Sequence, residues 1–435
     1  MSQINENRTS TPYSLTGMQE HIVLSSLNNE NEPWSYHTQF SYYLKIKDLS
    51  LPLFFKAIKT IQDRHPIIKT LFKVNDNKTV SQFINEDLLL QIDYADISHL
   101  DNDKQKATIT EYCLNDRNNK FDFIQNPNMR TFIHNRGKNL IHLTMSFNHA
   151  IWDGWSHMVF LKEIFEFYQR LKITPNLTLP IARYDYKDYL ILEKKASCNE
   201  KAKHFWKQQV QNCLDFSPSK KTSLTNYDSY KHIKIIVPKS LVNKLKLNQI
   251  KQKATLKSMY LTAFFKVILE ETQGRFATIG AVTNGRSFDL KNPLGTLGLL
   301  WNIAPITIQH QDDDLQMLQS TNKTLSKASA YGSYPLSKIL QEEKKEKLFH
   351  AVFNFVNFEG ANVLQNSDIE LLHLGGFDKF NYPLQLLVGT HPFNGEVSIV
   401  MNYDTRYYNE IEVIAKLNRI LDLLNSSFSI NDNKA

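Results

Sequence analysis

The sequence predicts an α/β fold of two lobes, each a mixed sheet flanked by helices. Three observations carry this. The chain has 435 residues, more than one hydrophobic core of roughly 100–200 residues organises. Short aromatic and β-branched runs alternate with segments whose apolar residues recur every three or four positions, in both halves. Neighbouring strand signals read as hairpins set between long helices, which points to mixed rather than purely parallel sheets.

Residues 1–14 are polar and read as a disordered lead. Residues 15–27 have a helical pattern, and 38–46 read as a strand. Over 51–64, Leu53, Phe54, Ala57, Ile58 and Ile61 line one face of an amphipathic helix. Strands follow over 67–74 and 79–84, then a polar helix over 104–114. Residues 129–136 and 140–147 form a hairpin joined at Gly137. A helix over 156–171 leads into 173–180, whose two prolines mark a linker. The expected division is therefore an N-terminal lobe over 1–175 and a C-terminal lobe over 176–435. In the second lobe a long charged helix covers 185–210, and a strand over 231–237 is stopped by Pro238. Helices over 241–250 and 255–271 follow. A strand over 276–282 runs into Thr283-Asn284-Gly285-Arg286. Strands are expected over 299–308 and 350–358, an antiparallel pair over 382–390 and 396–403, and a last helix over 410–426.

Composition narrows the function. Hydrophobic residues make up 42% and charged residues 22%, with 14 Gly and 14 Pro, which excludes collagen-like and low-complexity chains. Lys+Arg 51 against Asp+Glu 44 leaves +7, a mild excess that suits acidic partners but is too weak to argue for nucleic acid. Cys113, Cys198 and Cys213 have neither disulfide-framework nor zinc-knuckle spacing, which fits a reducing compartment. No secretory signal and no run of roughly 18–20 apolar residues is visible. The expectation is a soluble cytoplasmic protein that binds neither membrane nor nucleic acid.

The chemistry concentrates in Asn148-His149-Ala150-Ile151-Trp152-Asp153-Gly154-Trp155-Ser156. His149 lies just past a buried strand, and an Asp-Gly turn follows four residues later. An imidazole titrates near neutrality and can take a proton from an incoming amine or hydroxyl. Gly154 lets backbone approach a ligand, and its N–H can face a developing oxyanion. Asp153 can instead turn away and pair with a buried arginine. A metal site needs a third and fourth ligand, which the neighbourhood does not supply, so no metal is expected.

The loop resembles the H-H-x-x-x-D-G signature of nonribosomal peptide synthetase condensation domains, members of the chloramphenicol-acetyltransferase-like acyltransferases. Further segments agree in order and spacing. Ser14-Leu15-Thr16-Gly17-Met18-Gln19-Glu20 is similar to the opening S-x-x-Q motif. Arg64-His65-Pro66-Ile67-Ile68-Lys69-Thr70-Leu71-Phe72 is similar to R-H-x-x-L-R-T-x-F. Tyr186-Lys187-Asp188-Tyr189 is similar to the aromatic-Asp-aromatic segment, and Gly298-Leu299-Leu300-Trp301-Asn302-Ile303 to G-x-F-V-N-T. Tyr331-Gly332-Ser333-Tyr334-Pro335-Leu336 is similar to Q-D-Y-P-F-E. The resemblance covers nearly the whole chain.

It implies two chloramphenicol-acetyltransferase-like lobes forming a pseudo-dimer with a central tunnel. His149 takes the place of the catalytic histidine. Asp153 takes the structural aspartate, and Arg286 is its expected partner. Asn148 replaces the first histidine in a supporting role. Trp155, Ser156, Trp301 and Asn302 are candidates for the tunnel lining, although Asn302, as a strand residue, can instead satisfy backbone groups. Ala304-Pro305-Ile306 stands where an arginine often follows the G-x-F-V-N-T strand. Leu374-Gly375-Gly376-Phe377-Asp378 mimics a carrier attachment site but lacks its serine, and reads as a turn. The implied function is a freestanding condensation enzyme that joins a carrier-bound acyl or aminoacyl thioester to a carrier-bound or free amine. No cofactor is bound by the protein itself; the substrate arrives on the phosphopantetheine of a carrier protein acting in trans. The alternatives are an acyl-CoA-dependent or ester-forming enzyme of the same fold, and a catalytically inactive docking module. The basic segment from Lys244 to Lys257 is either a carrier contact or a solvated helix face.

Overall fold

The computed structural model of the chain describes residues 10–28, 35–76, 79–182, 186–213, 218–221, 229–356, 368–379, 381–391 and 394–426. Two compact units emerge, and neither is a contiguous half. The first comprises Met1–Ile191, Arg286–Leu300 and Gly360–Phe380; the second comprises Leu192–Gly285, Trp301–Glu359 and Asn381–Ala435. The first unit thus runs past the expected boundary at 175 and takes in two segments from the C-terminal half.

In the first unit, α1 (Gly17–Asn28), β1 (His37–Ile46) and α2 (Leu51–Arg64) are followed by a 3₁₀ turn at Pro66–Lys69. The β2 (Thr70–Val74) and β3 (Val80–Ile84) strands form a separate antiparallel pair. The strand expected from residue 67 starts later because Pro66 opens the 3₁₀ turn. Residues 10–13 are not a free lead: the Ser10 and Tyr13 N–H groups donate to Ile84 and Gln82 carbonyls. Residues 1–9 of that expected lead lie outside the described residues, as do position 185 of the expected long helix and 357–358 of the expected strand.

The main sheet uses β4 (Ile92–Asp96), β5 (Met129–Gly137), β6 (Leu140–Asn148) and β11 (Ile369–Asp378) in the order β11-β1-β6-β5-β4. The β5–β6 hairpin turns through Lys138 (φ 53°) and Asn139 (φ 64°), the two positive φ angles that a hairpin matching the strand twist requires. Helix α3 (Asn102–Asn118) is capped by Asp101, whose carboxylate accepts from Lys104 N–H. Helix α4 (Gly154–Ile173) buries Phe160, Leu161, Ile164, Phe165, Tyr168 and Leu171, and packs beside α2. That apolar stripe at three- and four-residue spacing anchors the loop that precedes α4.

Register places the site. On β1, Thr38 pairs with Asp378 of β11 on one side and with Phe147 of β6 on the other. The segment expected as a turn, Leu374 to Asp378, is therefore the end of a strand. Two glycines lower strand propensity, yet Gly376 lets the backbones close, since a Cβ there would lie 3.3 Å from the Gln39 carbonyl oxygen.

The expected helix over 185–210 divides into α5 (Tyr186–Ser197) and α6 (Glu200–Val210), because the Asn199 side chain caps α6 by accepting from Lys201 and Ala202. The second unit holds β7 (Tyr230–Ile236), α7 (Lys239–Gln252), α8 (Leu256–Thr272), β8 (Phe276–Asn284), β9 (Trp301–Gln309), α9 (Asp314–Ala330) and α10 (Leu336–Glu343). It continues through β10 (Ala351–Val356), β12 (Leu384–Thr390), β13 (Val397–Asp404) and α11 (Glu410–Ser426). Its sheet order is β7-β13-β12-β10-β8-β9, with parallel pairs at β10–β12 and β10–β8 and the rest antiparallel. Buried α8 packs on α9, α11 and β8. Both units are mixed sheets flanked by helices, as the sequence predicts.

Candidate active site

The site is built on the loop leaving β6. Asn148 ends the strand with its side chain fully engaged: Nδ2 donates to the Ser35 carbonyl (3.2 Å) and Oδ1 accepts from Ala150 N–H (2.9 Å). The His149 N–H then donates to the Tyr36 carbonyl at 3.0 Å. Gln19 reaches the same turn, donating to the Ala150 carbonyl at 2.9 Å, and forms a reciprocal amide pair with Gln82. The loop backbone is thus held from three sides before any charged group enters.

His149 is buried, with 5% of its side chain exposed. Its Nδ1 lies 3.1 Å from the Trp152 carbonyl oxygen. A carbonyl only accepts, so Nδ1 carries a hydrogen and Nε2 is the nitrogen left for chemistry. Nε2 faces Thr38 Oγ1 at 2.9 Å and Asp378 Oδ1 at 3.2 Å. Burial pushes the imidazole down, but the Asp378 charge and hydrogen bond, helped by the Trp152 carbonyl and the Asp153 charge, leave it raised above its ordinary value. Fully buried His157 shows the contrast. With no carboxylate partner, burial alone pushes it down to about 3, and it settles instead against Tyr42 Oη at 2.7 Å.

Asp153 points away from His149 and into a clamp. As N-cap of α4 it accepts from Ser156 N–H and Oγ–H, both at 2.8 Å. It also accepts from Leu300 N–H at 3.2 Å and from Arg286 Nη2 at 2.8 and 3.1 Å. Arg286 is spent in the clamp: Nη2 also meets Ser156 Oγ at 2.9 Å, and Nη1 donates to the Pro293 and Thr296 carbonyls. Gly298 closes the ring: its carbonyl accepts from Asp153 N–H (3.1 Å) and its own N–H donates to Ser156 Oγ (3.0 Å). Its φ is +154°, and a Cβ there would sit 2.1 Å from the Tyr186 ring. Tyr186 and Tyr189 in turn donate to the Leu299 and Leu300 carbonyls.

The other expected site residues divide. Gly154 opens α4. Its missing Cβ serves no packing, since nothing lies within 4 Å of where one would be, and a helix-start N–H has no partner within the helix. Ser156 is fully inaccessible and locked between Asp153, Arg286 and Gly298; it belongs to the clamp and lines no channel. Trp155 is half-buried and its indole donates to the Leu294 carbonyl. In the second unit Trp301 is buried. Asn302 there donates to the Gly332 and Tyr334 carbonyls at 3.0 and 2.7 Å and accepts from Leu336 N–H at 3.4 Å. Its polar atoms join two motif segments and are not presented to a ligand.

The basic segment is not uniform either. Lys244 Nζ bonds the Asn425 carbonyl. Lys257 donates to the Val282 carbonyl, and desolvation pushes it down to about 8.

Thr38 and Asp378, which face His149 Nε2, carry no motif signal in the sequence. Asp378 lay in the segment set aside as a turn, and its adjacency to His149 depends on strand pairing between distant parts of the chain. Among the described residues, no group of three or more His, Cys, Asp or Glu could hold a metal ion. No helix there is long and apolar enough to cross a membrane.

A family model for the condensation domain matches residues 9–431. Gramicidin S synthase 2 of Aneurinibacillus migulanus is 24% identical over 432 residues, covering 96% of this chain and 10% of that protein. Surfactin synthase subunit 3 of Bacillus subtilis (strain 168) is 22% identical over 432 residues, covering 97% of this chain and 33% of that protein. The chain therefore spans only a small part of these relatives. Among solved structures, the condensation domain from Monacolin K polyketide synthase MokA superposes with a TM-score of 0.80 at 13% identity, covering 97% of this chain and 99% of that one. The first condensation domain of the calcium-dependent antibiotic synthetase, in complex with substrate analogue 3a, gives 0.77 at 12% identity, covering 98% of each chain. The family match over almost the entire sequence, on a fold shared with solved members, places this chain in the condensation-domain family.

Proposed function

We propose that the chain catalyses amide formation between an acyl or aminoacyl thioester, carried on the phosphopantetheine of a carrier protein, and an amine. The observation that supports this best is the tautomer lock on His149: Nδ1 is held by the Trp152 carbonyl, which turns Nε2 toward Thr38 and Asp378. A buried imidazole with Nδ1 fixed and Nε2 beside the part-exposed Asp378 suits a general base.

The amine nitrogen attacks the thioester carbonyl carbon. A C–N bond forms, the amine's proton passes to His149 Nε2, and negative charge develops on the carbonyl oxygen. The Gly154 N–H, at the positive end of α4, is our candidate donor to that oxyanion. Collapse breaks the C–S bond, and the proton on His149 neutralises the departing thiolate. Asp153, Arg286 and Asn148 touch no reacting atom in this scheme; they hold the loop.

The test is intact-mass spectrometry of an acyl-loaded carrier protein, presented in trans with candidate amines. The reading expects loss of the acyl group together with a new amide, both abolished by His149→Ala. Transfer from acyl-CoA, or to a hydroxyl, would replace it with the related acyltransferase reading. A carrier that binds yet stays loaded with every amine would replace it with the docking module.

A further inference from the structure

The arrangement around His149 Nε2 is unbalanced for a neutral imidazole. Three atoms meet there: Nε2, Thr38 Oγ1 and Asp378 Oδ1, at 2.9 Å (Nε2 to Oγ1), 2.9 Å (Oγ1 to Oδ1) and 3.2 Å (Nε2 to Oδ1). If His149 is neutral with its hydrogen on Nδ1, Nε2 is an acceptor, and so is the carboxylate. Thr38 has one hydroxyl hydrogen and serves only one of them. One acceptor–acceptor contact then remains at a site where the imidazole is almost inaccessible. A hydrogen on Nε2 removes that conflict: Nε2–H and the Thr38 hydroxyl then both donate to Asp378 Oδ1. Asp378 itself is 46% exposed on its side chain, so it joins a buried base to an open rim.

We propose that Asp378 is a positioning residue with two partners in turn: it holds His149 as an imidazolium in the unliganded protein, and it receives the ammonium group of the acceptor amine. The second half rests on the condensation reading; the first does not. Amines reach the protein largely as ammonium ions at neutral pH and cannot attack until a proton is removed. An ammonium docked on Asp378 competes with the Nε2–H for the carboxylate. His149 then releases its proton to solvent, the docked R–NH3+ loses one proton to solvent to give R–NH2 beside the thioester, and the neutral imidazole is left to take the amine's next proton as it attacks. The charged groups bearing on His149 are Asp378 from β11 and Asp153 from the start of α4, the latter neutralised by Arg286. β1 contributes the Thr38 hydroxyl and β6 the Phe147 ring edge.

The experiment is an NMR titration of the histidines in the full chain, with the His149 signals assigned by their loss in His149→Ala. The wild-type His149 midpoint is expected above the ordinary value for histidine and is expected to fall in Asp378→Asn and in Asp378→Ser, with Asp378→Glu restoring it. Glycinamide, with N-acetylglycinamide as its uncharged control, should lower the midpoint in the wild type and leave it unmoved in Asp378→Asn. A wild-type midpoint at or below the ordinary value, or one indifferent to both Asp378 replacements, overturns the first half. A midpoint insensitive to glycinamide overturns the second. Each readout is independent of turnover, so failure of the condensation reading would show separately, as transfer that survives His149→Ala.

Discussion

Replacing Arg286 with methionine removes the guanidinium that neutralises Asp153. Side-chain exposure is 1% for Arg286 and 6% for Asp153, so water cannot take the guanidinium's place. Removing one partner of a buried ion pair costs about 3–5 kcal/mol, because the remaining charge is left uncompensated. Asp153 would keep the Ser156 N–H and Oγ–H and the Leu300 N–H, which places Arg286→Met near the low end, about 3 kcal/mol. Asp153→Asn strands the arginine instead and falls in the same range, while an asparagine still caps α4. Asp153→Ala also loses the cap and should cost about 1 kcal/mol more. The double variant Asp153→Asn/Arg286→Met leaves no stranded charge, so its loss should be smaller than the two single losses combined by about 0.5–3 kcal/mol. Urea denaturation reads this through tryptophan fluorescence and far-ultraviolet circular dichroism together, since two units can unfold separately and coincidence of the probes must be checked. Single variants within about 0.5 kcal/mol of wild type, the range of an ordinary surface change, or strictly additive losses, would refute the clamp.

Three further predictions follow from the same geometry. The pH dependence of stability should carry the buried neutral histidines: His157 and His142 are pushed down to about 3 and His134 to about 4 by desolvation. The unfolded chain therefore binds protons first, and their stability is fully present above about pH 6.5 and lost as pH falls toward 3–4, by up to about 1.4 kcal/mol per pH unit per group. His157→Gln should flatten that slope; an unchanged slope between pH 6.5 and 4 would contradict it. Gly298→Ala drives a methyl into the Tyr186 ring and should cost about 1–3 kcal/mol, read as a lower urea midpoint; a wild-type midpoint would show that the ring moves freely. Gln19→Ala frees the Ala150 carbonyl and should lower kcat with KM unchanged; a change in KM alone would place Gln19 in binding rather than in holding the loop.

What was legible in the sequence was local. The β5–β6 hairpin is written in alternating apolar residues around Gly137, and α2 in the spacing of Phe54, Ala57, Ile58 and Ile61. The His149 loop stood out as a local motif, whereas the Asp153–Arg286 pairing and the supporting place of Asn148 came from the family resemblance. The break between α5 and α6 was also signalled, since Asn199 before Glu200 is a capping pattern, but the run of charged residues masked it. Asp378 was hidden for a different reason. Its strand contains Gly375 and Gly376, which depress strand propensity, and its partner β1 lies near the other end of the chain. Ser156 differs for a related reason: a polar residue beside a motif reads as ligand-facing until the buried groups that consume its hydrogen bonds are seen, whereas Asn302 takes the backbone-satisfying role that its place on a strand also allows.

The central claim is that His149 Nε2 handles the proton in acyl transfer. The most direct measurement is a single-turnover rate constant for transfer from a loaded carrier protein to an amine, comparing wild type with His149→Ala and measuring carrier affinity alongside. The rate constant should fall about 10²–10⁴-fold, the usual contribution of a general base, with carrier affinity unchanged. Equal rate constants in the two proteins would contradict it.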